Sequence, residues 1–245
     1  MMKLEVIAFN ISCCQEIQTA GAHRIELCAN PHEGGTTPSA GFINAARKKV
    51  SIELFPIIRP RGGNFFYSQD EYDVIKSDVI FCRNVGCDGV VTGMLNSNGK
   101  VDQVKISEIV SIAHPMQVTF HRAFDRTPDP FEALEDLIDA GCTRILTSGL
   151  QPTAMEGSEM LKKLIEQSKG KIIVMPGSGI RSPNLLALAN RTGASEFHSS
   201  ARRDAQETMR YKNMNLSDVQ GHAVVDSTEV LKMVTVLNNI DNVNE

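Results

Sequence analysis

The sequence predicts an α/β fold, a (β/α)8 barrel formed by a single domain over residues 1–245. Two observations carry this prediction. A short apolar run followed by a helical pattern recurs eight times, and strands that alternate with helices form parallel sheets. Eight such units fill the chain, and this barrel typically takes about 250 residues. A doubly wound open sheet is the alternative, but eight consecutive units without a break favour closure of the sheet.

The eight units follow one another along the chain. The first four strands are LEVIAFN (4–10), RIELCA (24–29), SIELFPIIRP (51–60) and GVVTGML (89–95), with helices over 12–21, 39–49, 68–86 and 101–113. The last four strands are QVTFHRA (117–123), RILTSG (144–149), KIIVMPGSG (171–179) and SEFHSSA (195–201), with helices over 129–141, 153–170, 182–193 and 228–240. Helix ends agree with these units, because a glycine follows four of the helical patterns. Asp129-Pro130 and Ser182-Pro183 predict an N-cap followed by proline at the first helical position.

One segment, residues 201–227, is polar and has no clear period. A loop of that length inside a compact domain is usually functional or disordered. Two interpretations stay open: a solvated loop, or a lid over the barrel mouth.

Composition excludes several classes of protein. The net charge of −4 argues against a nucleic-acid partner, which would need an excess of Lys and Arg. No run of 18 apolar residues is present, so the sequence predicts no membrane span. The N-terminus enters a strand pattern without the features of a signal peptide. The six cysteines include no CxxC and are expected to be free thiols of a cytoplasmic protein.

Polar residues stand where the predicted strands end. In VTFHRAFD (118–125) a hydrophobic strand runs into His121, Arg122 and Asp125. In these barrels the active site lies at the C-terminal ends of the strands. The sequence therefore predicts that these three residues reach a functional face of the barrel.

Alternation of side chains along a strand predicts which of them point into the barrel. The inward set contains Glu5, Arg24, Glu26, Cys28, Thr119, His121, Glu196 and His198, with Arg59 joining it from the end of the third strand. Branched apolar residues fill an ordinary barrel interior, and a buried charge costs several kcal/mol unless it is paired. The alternatives are a structural salt-bridge network and a binding or catalytic site. Convergence of the set on one mouth favours the site.

Glycine-rich turns indicate an anionic ligand. PGSGI (176–180) and SSA (199–201) follow the seventh and eighth strands, whose loops often bind phosphate through backbone N–H groups. Gly177 and Gly179 allow close approach of the backbone. A small anion, with a phosphate ester among the candidates, would explain these turns together with Arg59 and Arg61.

The sequence thus suggests roles for named residues. The catalytic candidates are Glu26, His121 and His198, because histidine titrates near neutral pH and a carboxylate can orient an imidazole or act as the base. The substrate-binding candidates are Arg59, Arg61, Arg122, Asp125, Ser148, Gly177, Gly179 and Ser199. Proton abstraction, isomerisation and hydrolysis all fit this set, and whether the protein is an enzyme stays open.

Seven motifs in order resemble the CutC family. They are RIELC (24–28), GGTTPS (34–39), IRPRGGNFFYS (58–68), VTFHRAFD (118–125), RILTSG (144–149), GSGI (177–180) and EFHSSA (196–201). The resemblance spans about residues 3 to 201. It implies a (β/α)8 barrel, a cytoplasmic location, a role in copper homeostasis and copper as the ion bound. It also implies that the catalytic and substrate-binding candidates named above are motif positions of the family.

The residues give copper little support of their own. Soft thiolate and thioether ligands select Cu(I), and the inward-facing Cys28 is the candidate metal ligand. No group of cysteines has metal-ligand spacing, so each is more typical of a small buried hydrophobe. Two functions remain open: a copper-handling protein, and a barrel enzyme for a small anionic metabolite. A homo-oligomer also stays open, through the helix that carries Ile80, Phe81 and Cys82, although packing against the barrel is favoured for that face.

Overall fold

Eight parallel strands, each followed by a helix, form a (β/α)8 barrel in the computed structural model. The structure describes residues 2–205, 210, 211, 215 and 222–244, with the backbone alone for residues 242–244. The barrel strands are β1 (Lys3–Ala8), β2 (Arg24–Leu27), β3 (Glu53–Pro56), β4 (Gly89–Thr92), β5 (Gln117–Phe120), β6 (Arg144–Thr147), β7 (Ile173–Pro176) and β8 (Glu196–Ser199). The helices are α1 (Ile11–Thr19), α2 (Ala40–Lys49), α3 (Gln69–Val85), α4 (Gln103–Ala113), α5 (Pro130–Asp139), α6 (Ser158–Ser168), α7 (Ser182–Thr192) and α8 (Ser227–Asn244). The predicted fold class is confirmed.

The barrel consists of two hydrogen-bonded halves. One half has the strand order β3-β2-β1-β8 and the other β4-β5-β6-β7. At the first junction the Ile58 N–H donates to the Val91 carbonyl at 2.7 Å, and the Thr92 hydroxyl donates to the Ile58 carbonyl at 2.9 Å. At the second junction β7 lies beside β8. In this ring β3 and β7 are four strands apart in either direction, so they form opposite walls.

Two separate apolar layers follow from the alternation of side chains. The layer between strands and helices includes Val118 and Phe120, which point outward as predicted. A small cluster inside the barrel contains Cys28, Phe55, Ile57 and Val91. The predicted inward direction of Cys28 is therefore confirmed.

The helix caps agree with the sequence except at α7. Asp129 accepts hydrogen bonds from the first turn of α5, and Pro130 is its first residue, as predicted. Ser182, predicted to be an N-cap, is instead the first residue of α7. The reason is Glu229 of α8, which accepts from the Ser182 N–H at 2.6 Å and from its hydroxyl at 3.0 Å.

The polar segment after β8 begins and ends in paired strands. β9 (Arg202–Asp204) and β10 (Ala223–Val225) form an antiparallel pair. The Val225 N–H donates to the Cys13 Sγ at 3.2 Å, which ties the pair to α1. Residues 206–209, 212–214 and 216–221 lie outside the described residues, so the lid remains a prediction.

The helix face considered for a homo-oligomer is only partly exposed. On α3, Ile80 is exposed and Phe81 is half-buried, whereas Cys82 is buried in the core. Packing against the barrel accounts for Cys82, and oligomerisation remains a prediction. Within the ranges described above, no helix is both long and apolar enough to cross a lipid bilayer.

Candidate functional site

A cavity of about 430 Å³ opens at the C-terminal ends of the barrel strands. Eight of the twelve residues predicted for the site line it: Glu26, Cys28, Arg59, His121, Arg122, Gly179, His198 and Ser199. The other four, Arg61, Asp125, Ser148 and Gly177, lie behind the wall or beside it. Among the described residues, the lining contains four arginines and one acidic residue, Glu26. The cavity is therefore rich in cationic groups, although the chain has a net charge of −4.

A salt-bridge network closes the barrel below the cavity. Arg24 is fully buried and pairs with Glu5, with Glu196 at 2.5 Å and with Glu53 at 3.0 Å. Arg144 pairs with Glu196 at 2.6 Å. The two guanidinium groups lie 5.0 and 5.6 Å from the ring centroid of Phe55. Each of these buried charges has a partner of opposite charge, and Glu196 belongs to this network in the barrel floor.

The sequence missed the part that Arg144 plays in this floor. Arg24 and Arg144 each open a strand, in the segments RIELC and RILTS, and both strands place the arginine inside the barrel. This shared Arg-Ile start is the signal that could have predicted Arg144 as the partner of Glu196.

His198 and Glu26, two of the three residues predicted to be catalytic, lie directly above the floor. The His198 Nδ1 lies 2.7 Å from the Glu5 Oε1, and its Nε2 lies 3.8 Å from the Glu26 Oε2. Burial acts to lower the pKa of His198, but the hydrogen bond to Glu5 and the charges of Glu26 and Glu5 raise it above the ordinary histidine value. His198 therefore lies between two carboxyl groups that favour its protonated form.

Glu26 has the carboxyl group that titrates near neutral pH. Burial raises the pKa of Glu26 to about 7, against the opposing pull of His198. The carboxyl also hydrogen-bonds with the Cys28 thiol. At neutral pH both forms of Glu26 are populated, which is the property that a general acid or base needs.

His121 is a neutral hydrogen-bond donor. Its Nδ1 accepts from the Ala123 N–H at 3.2 Å, so the proton of the neutral ring lies on Nε2. Burial, and then the charge of Arg59, lower the pKa of His121 to about 3. The sequence suggested that His121 titrates near neutral pH. In the structure it is Glu26 whose pKa lies near 7. Gly93 makes room for the ring, since a Cβ there would lie 2.5 Å from the His121 Nδ1.

Arg59 carries a buried charge that no carboxylate of the described chain neutralises. Its guanidinium donates to the carbonyls of Glu33, Gly35 and Gly63 at 2.7, 2.9 and 3.0 Å. Phe65 stands between Arg59 and His121, at 4.9 Å from the guanidinium and 4.8 Å from the imidazole centroid. The Arg59 Nε and the His121 Nε2 are buried and have no partner within the described residues, and the buried Tyr67 hydroxyl, which lies close to Arg59, has none either. These two N–H groups are called the donor pair below.

Asp125 organises the turns that follow β5 and β6. Its carboxylate accepts from the Ser148 N–H and hydroxyl, from the Leu150 N–H and from the Thr147 hydroxyl. It also pairs with the Arg122 Nε at 2.7 Å, while the Arg122 Nη2 donates to the Ser148 hydroxyl at 2.9 Å. The structure thus brings together three predicted residues, of which only Arg122 lines the cavity.

Arg61 and Gly177 support the wall from outside. Arg61 pairs with Glu71 and donates to the Asn64 and Phe66 carbonyls, which shapes its own loop. A Cβ at Gly177 would lie 2.5 Å from the Leu146 Cδ1, so a glycine there allows tight packing between β6 and β7.

Gly179 and Ser199 form part of the wall. Gly179 has φ +72°, a conformation that favours glycine. The Ser199 hydroxyl donates to the Ile180 carbonyl at 2.7 Å and joins β8 to the turn after β7.

The donor atoms of the cavity do not fit Cu(I). Burial, and then the charge of Glu26, raise the pKa of the Cys28 thiol well above its ordinary value, so the thiolate that Cu(I) selects is disfavoured. The thioether of Met175 accepts from the Arg24 Nη2 at 3.4 Å, in the floor. In the described parts of the chain no three His, Cys, Asp or Glu side chains are arranged to hold a metal ion.

Fold and site define the class: a (β/α)8 barrel with a cationic cavity and a titratable carboxyl at the strand ends. A family model described as the CutC family matches residues 2–203, and the chain belongs to that family. Two relatives illustrate this. A CutC family protein from Chromobacterium violaceum is 48% identical over 209 residues, covering 85% of each chain. The human copper homeostasis protein cutC homolog is 43% identical over 214 residues, covering 87% of this chain and 78% of the relative.

Solved structures agree with this assignment. A structure described as a copper homeostasis protein CutC from Streptococcus agalactiae superposes with a TM-score of 0.77 at 32% identity, covering 82% of this chain and 99% of that one. A thiamine phosphate pyrophosphorylase from Pyrococcus furiosus superposes with a TM-score of 0.59 at 17% identity, covering 98% and 96% of the two chains. The second likeness shows the barrel fold alone.

Proposed function

We propose that the cavity is the active site of an enzyme that moves protons on a small anionic metabolite, with Glu26 as the acid–base group. One observation carries this proposal: the donor pair is buried and unpartnered in the wall of the same cavity that Glu26 lines. Buried polar groups without partners are rare in folded proteins and call for an explanation. An acceptor-rich ligand supplies it.

The chemistry of the donor pair selects an anion. Carbonyl oxygens accept from the two terminal nitrogens of Arg59 but leave its full charge without a counterion among the described residues. A carboxylate or phosphate oxygen accepts strongly from a guanidinium. His121 is neutral and adds an N–H without adding charge, as suits a group that stabilises negative charge on a substrate oxygen.

The remaining groups support proton transfer. Glu26 can give or take a proton at neutral pH because its pKa is about 7. The protonated form of His198 is favoured because its Nδ1 lies 2.7 Å from the Glu5 carboxylate. Glu5 is in turn held as a carboxylate: burial acts to raise its pKa, but Arg24 and His198 keep it well below the ordinary range. The floor network thus favours the protonated form of His198, whose charge favours the ionised form of Glu26.

A screen of small metabolites in D2O tests the proposal. Wild-type protein is expected to exchange hydrogen in, or convert, at least one phosphorylated or carboxylated compound, read by mass spectrometry. The variant Glu26→Gln keeps the shape and is expected to lose about 100-fold or more of that rate, a typical contribution of general acid–base catalysis. Glu16→Gln makes the same chemical change on the exposed face of α1 and is expected to retain the rate. If no compound changes, or if only neutral compounds do, the proposal fails.

A copper-handling role is the second candidate, because relatives carry the name copper homeostasis protein. Cys28 is the cavity thiol that such a role would use. Because that thiol is buried beside Glu26 and protonated, we expect Cys28→Ala to leave Cu(I) competition with a chelator of known affinity unchanged. Stoichiometric Cu(I) binding that survives the chelator in the fully reduced wild type and is lost in Cys28→Ala would make copper the function.

We also infer a cytoplasmic location. It is supported by the six cysteines, all of which are free and buried. Secreted proteins tend instead to pair their cysteines in disulfides.

A further inference from the structure

We infer that the anionic substrate has an aromatic or branched hydrocarbon body, which lies on an apolar strip of the cavity wall between Glu26 and Arg59. This strip, called the apolar band below, consists of four side chains that line the cavity: Ile7, Phe9, Cys28 and Ile57. The inference rests on the proposed function. It narrows the substrate class to anions with an apolar body, as opposed to sugar phosphates and sugar acids.

The apolar band is continuous across three neighbouring strands. Side chains that point to one face of a strand are two residues apart. The register of β1 with β2 places Phe9 beside Cys28, and the register of β2 with β3 places Cys28 beside Ile57. Cys28 and Ile57 belong to the small cluster inside the barrel, and Ile7 and Phe9 pack against that cluster.

The apolar band lies between the acid–base group and a buried guanidinium. On β2, Cys28 is the next inward residue after Glu26, and beyond β3 Arg59 follows two residues after Ile57. Each of these steps covers about 6–7 Å along an extended chain. An anion that accepts from the free Arg59 Nε therefore reaches Glu26 with a body that crosses Cys28 and Ile57.

Part of the apolar band is not covered by other side chains. Cys28 and Ile57 are only 2% and 3% exposed, so ordinary core packing explains them. Ile7 and Phe9 also point into the barrel, yet both are only half-buried and line the cavity. Hydrocarbon that stays uncovered inside a concave site is the usual contact surface for the apolar part of a small ligand.

Phe65 extends this apolar surface beside Arg59. Its ring is half-buried and lines the cavity, with its centroid 4.9 Å from the Arg59 guanidinium and 4.8 Å from the His121 ring. A ligand whose anionic group binds beside Arg59 therefore meets a phenyl ring next to that group. Aromatic rings favour stacked and edge-to-face contacts with one another.

The apolar band also disfavours a polyhydroxylated ligand. Three of its side chains are pure hydrocarbon, and the fourth, the Cys28 thiol, already hydrogen-bonds with Glu26. A hydroxyl group that lies against the band would lose its water without gaining a partner, which is unfavourable. An aromatic or branched hydrocarbon in the same place gains free energy by leaving water.

Two pairs of probes, each with one anionic group in common, test the inference. Phenyl phosphate is compared with glycerol 3-phosphate, and phenylacetate with erythronate. Calorimetric titration of the wild-type protein at constant ionic strength is expected to show, in at least one pair, that the aromatic member binds at least about tenfold more tightly. The heat-capacity change on binding should also be more negative for that member, because it reports burial of apolar surface.

Variants of the apolar band locate the preference. Phe9→Ser is expected to lower the preference for the aromatic member at least about threefold, because it removes uncovered hydrocarbon from the wall, whereas Phe9→Leu should keep most of it. Ile7→Thr retains the branched shape and serves if Phe9→Ser does not fold. Phe66→Ser is the matched control: it removes a ring that is 52% exposed, and it is expected to keep the preference.

The outcomes separate this inference from the proposed function. Equal or tighter binding of the polyhydroxylated member in both pairs overturns the inference and leaves the anion site intact. So does a loss of preference in Phe66→Ser as large as that in Phe9→Ser. Benzyl alcohol, which lacks the anionic group, is expected to bind at least about tenfold more weakly than the preferred aromatic anion. Binding of benzyl alcohol as tight as that of the aromatic anions, or failure of all four anions to bind at millimolar concentration, overturns the proposed function on which the inference rests.

Discussion

Arg24→Met is expected to lower the free energy of unfolding by about 3–5 kcal/mol at pH 7, because it removes the cation that the buried carboxylates of Glu5 and Glu196 share. Arg24 is completely buried and contacts Glu5, Glu53 and Glu196. Glu5 is fully buried too, and Glu196 nearly so. Methionine fills a similar volume, so the loss reflects charge rather than a cavity. Urea denaturation followed by circular dichroism measures it.

The pH dependence distinguishes this cause from poor packing. In the wild type, Arg24 helps to keep the pKa of Glu5 well below the ordinary value, so this stabilisation is present above the unfolded pKa and is lost as pH falls through the folded one. In Arg24→Met the buried Glu5 carboxyl lacks that cation, so it lowers the free energy of unfolding only while it is ionised. The difference between the two proteins should therefore shrink below about pH 4.

Lys3→Met is the matched control for Arg24→Met. Lys3 pairs with Glu53 at 3.0 Å, but both side chains are about one-third exposed. Exposed pairs contribute about 0–1 kcal/mol. A loss in Arg24→Met no larger than the loss in Lys3→Met would contradict the assignment of the floor as a paired network.

The sequence was sufficient for the barrel because its signals are local. Each strand and helix is short and follows its own period, and Gly86 and Asp129 mark helix ends through backbone geometry alone. Inward direction was also predictable, since a strand alternates strictly and Glu26, Cys28, His121 and His198 all follow that rule. The error at Ser182 has a tertiary cause, because Glu229 is 47 residues away in the chain.

The protonation states could not be predicted, because they depend on contacts between distant strands. His121 and His198 are the same residue type at equivalent strand ends. One has its pKa lowered by burial and Arg59, whereas Glu5 and Glu26 raise the pKa of the other. Likewise the sequence placed Arg59 and Arg61 in one anion site. In the structure Arg59 lines the cavity, whereas Arg61 pairs with Glu71.

Glu26→Gln is expected to stabilise the protein at pH 8 and to leave its stability nearly unchanged at pH 5. Burial raises the pKa of Glu26 from 4.5 to about 7, a shift that corresponds to roughly 3 kcal/mol. The buried carboxylate is thus a cost to the folded state at high pH, and glutamine avoids it. Loss of the attraction between Glu26 and His198 offsets part of the gain, so a net stabilisation of about 1–3 kcal/mol is expected.

The direction in which stability changes with pH follows from the number of protons that each state binds. Between the unfolded pKa and the folded pKa of about 7, the folded protein binds more protons at Glu26 than the unfolded chain does. The contribution of Glu26 to the free energy of unfolding of the wild type should therefore decline from about pH 4.5 to about pH 7 and then level off. This contribution should be absent in Glu26→Gln. Urea denaturation at pH 5 and pH 8 measures both proteins, with Glu16→Gln as an exposed control that should match the wild type at each pH. A Glu26→Gln variant less stable than the wild type at pH 8 would show that Glu26 is a structural ion-pair partner of His198. A stabilised variant would show that the fold gives up stability to keep an ionisable carboxyl in the cavity, as expected of a group retained for proton transfer.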